Sequence, residues 1–190
     1  MHEDLERILF TEAEIRAGID RVAAQVTELY RGSDFTVVSV LKGSCIFCAD
    51  LIRRIPIPLQ LAFVAASSYR SGTTSGELVL NYLPTDGEIA GRRLLLVDDI
   101  LDSGQTLHRL ERELMARGAQ DVHTCVFLDK PARRAVEFEA DFRVLQVPDL
   151  FVVGYGLDYA GMYRNLPIVG VLKPEIYTRG ADEPVRAARP

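Results

Sequence analysis

Residues 94–107 read LLLVDDILDSGQTL, and this stretch decides the predicted fold. An apolar run ends at Asp98 and Asp99, and a loop of small polar residues leads from there into a helical pattern. The run predicts a buried strand over 94–97, and the pattern predicts a helix over about 105–117. Strand, loop and helix in this order are typical of α/β domains with a parallel sheet.

The remainder of the chain has the same alternation of short apolar runs and helical patterns. Thr11 and Glu14 have capping-box spacing before a helical pattern, and Gly32 suits its end. A second helix is predicted to run from about residue 45 to Ile55. The predicted strands are 35–41, 59–66, 78–83, 122–128, 144–147, 151–155 and 168–172, with a turn at 86–87. We therefore expect an α/β fold with a largely parallel sheet flanked by helices.

Amino-acid composition narrows the range of functions that the protein can have. A chain of 190 residues suits one domain, and its net charge of -5 with no basic run gives no support for nucleic acid as a partner. No apolar run reaches the roughly 18 residues that a membrane span needs. Three cysteines without a signal peptide argue against a disulfide scaffold, so a reducing cytoplasm is expected. Cys45 and Cys48 share one apolar helical stretch, which favours buried packing over a zinc or redox site.

The loop after residue 97 has the composition of a phosphate site. In an open parallel sheet, ligands bind at the carboxyl ends of strands, and a helix that begins there offers free N–H groups and a positive dipole end. Ser103, Gly104 and Thr106 are small enough for the backbone to approach one phosphate closely. No Walker A or GxGxxG pattern is present.

Three carboxylates, those of Asp98, Asp99 and Asp102, crowd the same loop. They would repel a phosphate unless a divalent cation or sugar hydroxyls lay between them. A phosphate, a diol and magnesium together describe an activated ribose phosphate. The alternative is a surface loop with solvated acids, which a lone Asp-Asp pair would fit equally well.

Residues 97–106 resemble the phosphoribosyl pyrophosphate signature of type I phosphoribosyltransferases. Further segments resemble the hypoxanthine-guanine branch of that family, in the family order and from about residue 37 to 177. They are Leu41-Lys42-Gly43, Ser68-Tyr69, Lys130 within LDKP, the stretch FVVGYGLDY at 151–159, and Arg164. Each alone is compatible with a core or surface residue, and it is their shared order that favours function.

The resemblance implies roles around the sugar phosphate. Asp98 and Asp99 would hold the ribose 2- and 3-hydroxyls. The 5-phosphate would lie in the cradle formed by Asp102, Ser103, Gly104, Gln105 and Thr106. Asp102 would also accept the proton of purine N7 as the general base and is the implied catalytic residue.

The resemblance also implies a purine site. Lys130 would donate to the 6-oxygen, which favours a 6-oxopurine over a 6-aminopurine because an ammonium group offers no acceptor. Phe151 would stack on the base, and Val152 would contribute backbone contacts. Asp158 would bind Mg²⁺, with Asp98 close to the metal as well.

Pyrophosphate would be neutralised by Lys42, Gly43 and Arg164. The metal-site residues implied by the resemblance are Asp98, Asp99 and Asp158. A mobile loop that opens at Ser68 and Tyr69 would close over the activated sugar and exclude water. In this family the peptide before the lysine of the pyrophosphate loop can be cis.

Two positions depart from the family pattern. Gln105 stands where some members have lysine, which removes one cation from the phosphate loop. Asp98 stands where others have glutamate, a longer acid with the same role. Neither changes the expected reaction, which is transfer of the 5-phosphoribosyl group to hypoxanthine or guanine.

Two other functions remain open. An RNA-binding attenuator of pyrimidine operons shares the phosphoribosyl loop, but Asp102 and the purine stretch resemble the enzymes, and the acidic pI of 5.3 suits RNA poorly. An adenine enzyme is disfavoured by Lys130, whereas a xanthine enzyme is not.

We expect one domain over 1–178, with a core at about 33–147, a hood from about 1–32 and 148–178, and a disordered tail at 179–190. The expected assembly is a homodimer or homotetramer.

Overall fold

A computed structural model describes residues 2–68 and 78–178. The strands in these ranges are β1 (Leu5–Phe10), β2 (Phe35–Leu41), β3 (Gln60–Ser68), β4 (Leu78–Tyr82), β5 (Arg93–Leu101), β6 (Asp121–Asp129), β7 (Phe142–Gln146), β8 (Val152–Val153) and β9 (Val169–Leu172). The helices are α1 (Glu12–Tyr30), α2 (Cys45–Ile52), α3 (Asp86–Ile89), α4 (Gln105–Ala116) and α5 (Pro174–Tyr177).

The larger sheet has the strand order β4-β3-β2-β5-β6-β7. Five of its strands are parallel, and the edge strand β4 runs antiparallel to β3. The predicted parallel sheet is thus confirmed. From β2 the chain proceeds to β3 on one side, whereas β5 lies on the other side and leads to β6. The carboxyl ends of β2 and β5 therefore flank a topological switch point, where open α/β sheets bind their ligands.

Side chains alternate between the two faces of β5, and each face is covered by helix. Leu95 and Val97 belong to the apolar cluster that includes α1 and α2, whereas Leu94 and Leu96 belong to the cluster that includes α4. All four side chains are fully buried. Burial of one such side chain stabilises the fold by about 1.5–3 kcal/mol. The central strands are thus held rigidly, which gives the loops at their ends a firm base.

Helix α1 begins at the predicted capping box. The Thr11 hydroxyl accepts from the Glu14 backbone N–H, and the Glu14 carboxylate accepts from the Thr11 N–H at 2.8 Å. The buried face of α1 packs on the larger sheet, and its members are Ile15, Ile19, Val22, Ala23, Val26 and Tyr30.

A second, smaller antiparallel sheet has the order β1-β9-β8. It forms its own apolar cluster, in which Leu5 and Leu172 pack with Tyr163 and Leu166. Gly170 permits the close approach of β1, because a Cβ there would lie 2.6 Å from a Leu5 methyl carbon. This sheet carries the segment that starts at Phe151 and so places the predicted purine stretch.

The structure corrects four predictions of local structure. β5 continues to Leu101 instead of stopping at Asp98, since it keeps parallel register with β6. β1 was missed because its sequence, LERILF, alternates poorly, and its partner β9 is distant in sequence. The predicted turn at 86–87 is the short helix α3, capped by Thr85, and α2 ends at Ile52, before the predicted Ile55.

In the two described ranges, none of the helices is both long enough and apolar enough to pass through a bilayer. The predicted loop after Ser68, including Tyr69, and the predicted disordered tail at 179–190 lie outside the described residues.

Candidate active site

The loop that links β5 to α4 has the geometry of an anion cradle. Gly104 precedes the first residue of α4 and has a φ of +83°, a left-handed conformation that favours glycine. A Cβ at this position would lie 3.0 Å from a Val136 methyl carbon, so the loop also packs tightly beneath. Gln105 is exposed at the start of α4, and Thr106 follows it half-buried. The predicted cradle of residues 102–106 is thus one continuous turn at a helix N-terminus.

Asp98 and Asp99 lie side by side at the carboxyl half of β5. Asp98 is 8% exposed, and its Oδ1 accepts the Asp99 N–H at 2.9 Å. Burial, and then the negative charge of Asp99, raise the pKa of Asp98 well above its ordinary value. Burial also raises the pKa of Asp99. A buried and a half-buried carboxyl held next to each other in this way are stabilised by hydroxyl donors or by a cation.

Asp102 follows β5 directly and is half-buried. Its Oδ1 is buried and has no hydrogen-bond partner among the described residues. Buried polar atoms are almost always paired, so a buried carboxylate oxygen without a partner is a candidate binding or catalytic group.

The turn after β2 lies against this acid pair. The Leu41–Lys42 peptide bond is cis, as the family resemblance allowed. Lys42 is exposed, and Gly43 is buried against the Asp99 carboxylate. The Ser44 hydroxyl fastens the turn by donating to the Val40 carbonyl at 2.5 Å. The predicted pyrophosphate loop and the predicted ribose acids are therefore in direct contact.

The Arg164 side chain also lies near the turn after β2. Its Nη2 lies 2.6 Å from Asp158 Oδ1, and its Nη1 donates to the Gly156 carbonyl at 2.5 Å. Gly156 in turn faces the Gly43 carbonyl so closely that a Cβ would lie 2.1 Å from that oxygen. Asp158 and Arg164 are thus an ion pair beside the pyrophosphate loop, where the sequence alone also allowed two unrelated surface charges.

Lys130 follows β6 and is 5% exposed. Its ammonium donates to the Leu150 carbonyl at 2.9 Å and lies 3.0 Å from Asp149 Oδ1. The Lys130 backbone N–H donates to the Leu101 carbonyl at 3.0 Å, next to the phosphate loop. A buried lysine held by two acceptors has a fixed direction, as a hydrogen-bond donor for a ligand requires.

Phe151 is 39% exposed, unusual for a ring of this size. It stacks on Tyr177 with ring centroids 4.8 Å apart and planes at 16°, and Tyr159 meets it edge-on. Val152, the next residue, is buried in β8. An exposed aromatic ring beside the buried Lys130 ammonium can bind a flat heterocycle that carries an acceptor.

Three residues of this region were not predicted to have a role. Asp149 holds Lys130, Tyr177 stacks on Phe151, and Arg134 donates to the loop carbonyls of Leu101 and Asp102 at 3.0 and 2.6 Å. No local sequence pattern identifies these residues, because each acts through a contact that only the folded chain creates.

The residues fit the predicted magnesium. Mg²⁺ takes oxygen ligands, commonly one or two carboxylates with substrate phosphates. Asp98 and Asp99 are adjacent carboxylates, Asp99 lies against Gly43, and the buried Asp98 would gain from positive charge. Asp158 supplies a third carboxylate, which pairs with Arg164. In the described part of the chain, no three His, Cys, Asp or Glu side chains are grouped closely enough to hold a metal by themselves.

The Cys45 and Cys48 thiols are free, and Cys48 is buried as predicted. Cys45 is exposed at the start of α2, so the prediction that both are buried is wrong for Cys45.

Comparison with known proteins agrees with this geometry. Residues 8–160 match the phosphoribosyl transferase domain family. The chain is 41% identical to the hypoxanthine-guanine phosphoribosyltransferase of Staphylococcus aureus, over 94% of this chain and 99% of that protein. It is 44% identical to the bifunctional protein TilS/HprT of Listeria monocytogenes, but it spans only 28% of that protein's length.

A crystal structure of a hypoxanthine phosphoribosyltransferase from Staphylococcus aureus has the same fold, with a TM-score of 0.87, 41% identity and coverage of 93% of this chain and 96% of that one. The chain is therefore a member of the hypoxanthine-guanine phosphoribosyltransferase family.

Proposed function

We propose that this protein transfers the 5-phosphoribosyl group from phosphoribosyl pyrophosphate to hypoxanthine or guanine, giving IMP or GMP and pyrophosphate. The observation that supports it best is the loop at 102–106, which begins with a buried Asp102 carboxylate oxygen that has no partner among the described residues. Shortly before this loop in sequence stand the buried Asp98 and the half-buried Asp99. The proposed phosphate cradle, diol site and proton acceptor thus all lie within residues 98–106.

In the proposed reaction, purine N9 attacks the anomeric carbon as the bond from that carbon to pyrophosphate breaks. The bonding electron pair leaves with pyrophosphate, and Asp102 accepts the N7 proton. Asp98 and Asp99 accept hydrogen bonds from the ribose hydroxyls. The unpaired Asp102 oxygen suits this role, because its acceptor capacity is not used by the described residues.

The purine would lie on the exposed face of Phe151, with Lys130 donating to its 6-oxygen and Val152 contacting its edge through the backbone. A purine carbonyl at position 6 would accept the third N–H of the Lys130 ammonium, whose other two partners are the Leu150 carbonyl and the Asp149 carboxylate. A 6-amino group would place a donor against a donor. Preference for 6-oxopurines follows from this mismatch.

The leaving group would be bound by Lys42, the Gly43 backbone and Arg164, with Asp158 holding magnesium. Magnesium, when bound, would neutralise developing charge on the pyrophosphate oxygens. The Arg164 guanidinium is already aimed at the Gly156 turn, so it is oriented before substrate binds. Such prior orientation lowers the cost of stabilising charge during bond cleavage.

The test is an activity assay with phosphoribosyl pyrophosphate and magnesium, run with hypoxanthine, guanine, xanthine, adenine and uracil, each with and without a chelator. We expect IMP and GMP, no product from adenine or uracil, and loss of activity with chelator. Folded protein that forms no nucleotide from any purine would refute the proposal. Product from xanthine would widen the substrate range without changing the reaction.

The one-domain boundaries, the cytoplasmic location and the homodimer or homotetramer stay predictions. Light scattering of the purified protein across a concentration series distinguishes monomer, dimer and tetramer.

A further inference from the structure

We propose that Arg134 is a positioning residue of the phosphate loop, which it holds from beneath so that successive backbone N–H groups face the substrate phosphate. The inference rests on the proposed function of that loop. Arg134 lies in the segment after β6 and belongs to none of the segments that resemble the family.

The guanidinium of Arg134 donates hydrogen bonds to two consecutive backbone carbonyls. Its Nη1 donates to the Asp102 carbonyl at 2.6 Å and to the Leu101 carbonyl at 3.0 Å. In a planar trans peptide the C=O and N–H point in opposite directions. The peptides that bear these two carbonyls carry the N–H groups of Asp102 and Ser103. Those N–H groups are therefore directed away from Arg134, toward the opposite side of the loop.

The next peptide is held in the same way. The Ala135 N–H donates to the Ser103 carbonyl at 2.9 Å, which turns the Gly104 N–H away from Ala135. Three consecutive N–H groups that point to one side form a nest of the kind that binds anions. None of the three donates to an acceptor among the described residues. The segment that begins with Arg134 thus sets the polarity of the whole loop.

Arg134 is itself anchored by a buried acid. Its Nη2 lies 2.6 Å from Asp129 Oδ1, and the two side chains are 17% and 9% exposed. Asp129 is the last residue of β6 and so is fixed by the sheet. The planar fork of an arginine can span from this carboxylate to two loop carbonyls, which the single ammonium of a lysine cannot do.

The arginine stem also supports the loop sterically. A Cβ at Gly104 would lie 3.2 Å from Arg134 Cδ, so the loop rests directly on the side chain. Hydrogen bonds from a charged donor are stronger than neutral ones, and these two are partly buried. Removal of the guanidinium would free the Asp102 carbonyl to rotate, whereas the Leu101 carbonyl would keep its hydrogen bond from the Lys130 N–H. The N–H groups of the loop would then lose their common direction.

The experiment compares Arg134→Gln with Arg143→Gln by titration calorimetry with IMP and with inosine. Arg143 is 55% exposed and lies 3.6 Å from the other oxygen of Asp129, so it matches the charge change without touching the loop. Inosine shares the base and the ribose of IMP but has no phosphate. We expect R134Q to weaken IMP binding by about 10- to 100-fold, the scale of a charged hydrogen bond, and inosine binding by less than about 2-fold.

R143Q should bind both ligands as the wild type does. R134K keeps the positive charge of the Arg134–Asp129 ion pair, and D129N keeps the guanidinium. The IMP affinity of each variant should therefore lie between those of the wild type and R134Q. These two variants give the result if R134Q does not fold. Equal losses for IMP and inosine in the folded variants, or unchanged IMP binding in R134Q, would overturn the proposal. A wild-type protein that neither binds IMP nor forms it would instead refute the proposed function.

Discussion

The Asp99 carboxylate occupies the space where a side chain on Gly43 would be. A Cβ built on Gly43 would lie 1.6 Å from Asp99 Oδ2, far inside any van der Waals contact. The turn after β2 and the acid pair of β5 are thus fitted to each other, and one cannot change without displacing the other.

Gly43→Ala is therefore expected to push apart the pyrophosphate turn and the ribose acids. A displacement of about 1 Å can cost about 100-fold in rate, so kcat/KM should fall by that order while the protein still folds. Steady-state kinetics with varied phosphoribosyl pyrophosphate measure the effect. Gly87→Ala is the control, since a Cβ there meets nothing within 4 Å. Near-normal activity of Gly43→Ala would contradict the contact.

Asp102→Asn tests the general base. The amide keeps the shape of the side chain but cannot accept a proton, so kcat should fall by about 100-fold or more while IMP binding changes little. Asp34→Asn removes a charge from an exposed site and serves as the control. Turnover that is unchanged in the Asp102 variant would exclude Asp102 as the base.

Lys130→Gln tests how the enzyme selects the base. The amide can both donate and accept, so kcat/KM for hypoxanthine should fall by about 10- to 100-fold while discrimination against adenine narrows. Competition assays with both bases measure the ratio. Arg133→Gln is the control, because Arg133 is 56% exposed and shares the partner Asp149. If discrimination is unaltered in Lys130→Gln, Lys130 does not contact position 6.

The capping box of α1 predicts a stability change in acid. The hydrogen bond from the Thr11 side chain lowers the pKa of Glu14 below its ordinary 4.5. A carboxyl whose pKa is lower in the folded state contributes stability that is present above its unfolded pKa and is lost as the pH falls through the folded one. The melting temperature of the wild type should therefore drop more steeply below about pH 4.5 than that of Glu14→Gln.

The measurement is a series of thermal melts between pH 3 and 7. Glu137→Gln, which removes an exposed carboxyl, is the control and should follow the wild type. Parallel curves for Glu14→Gln and the wild type would show that the cap contributes no pH-dependent stability.

Family and fold could be predicted, and most of the candidate site residues could be named, because they lie in local patterns. The acids and small residues at 98–106 are adjacent in sequence, and their chemistry follows from residue type and from the strand-loop-helix order. The segments at 41–43 and 151–159 resemble the family strongly enough for their roles to be implied without coordinates. The long amphipathic helix α1 could also be predicted, because its capping box and the glycine at its end are local sequence patterns.

Tertiary structure alone decided the contacts between distant segments. Arg134 and Asp149 look like ordinary surface charges in sequence, yet Arg134 donates to the Asp102 carbonyl and Asp149 pairs with Lys130. β1 could not be recognised from sequence since its partner β9 lies over 150 residues away. The physical reason is common to all three: hydrogen-bond partners and close packing depend on where the chain returns to itself, whereas residue type and periodicity report only on the local backbone.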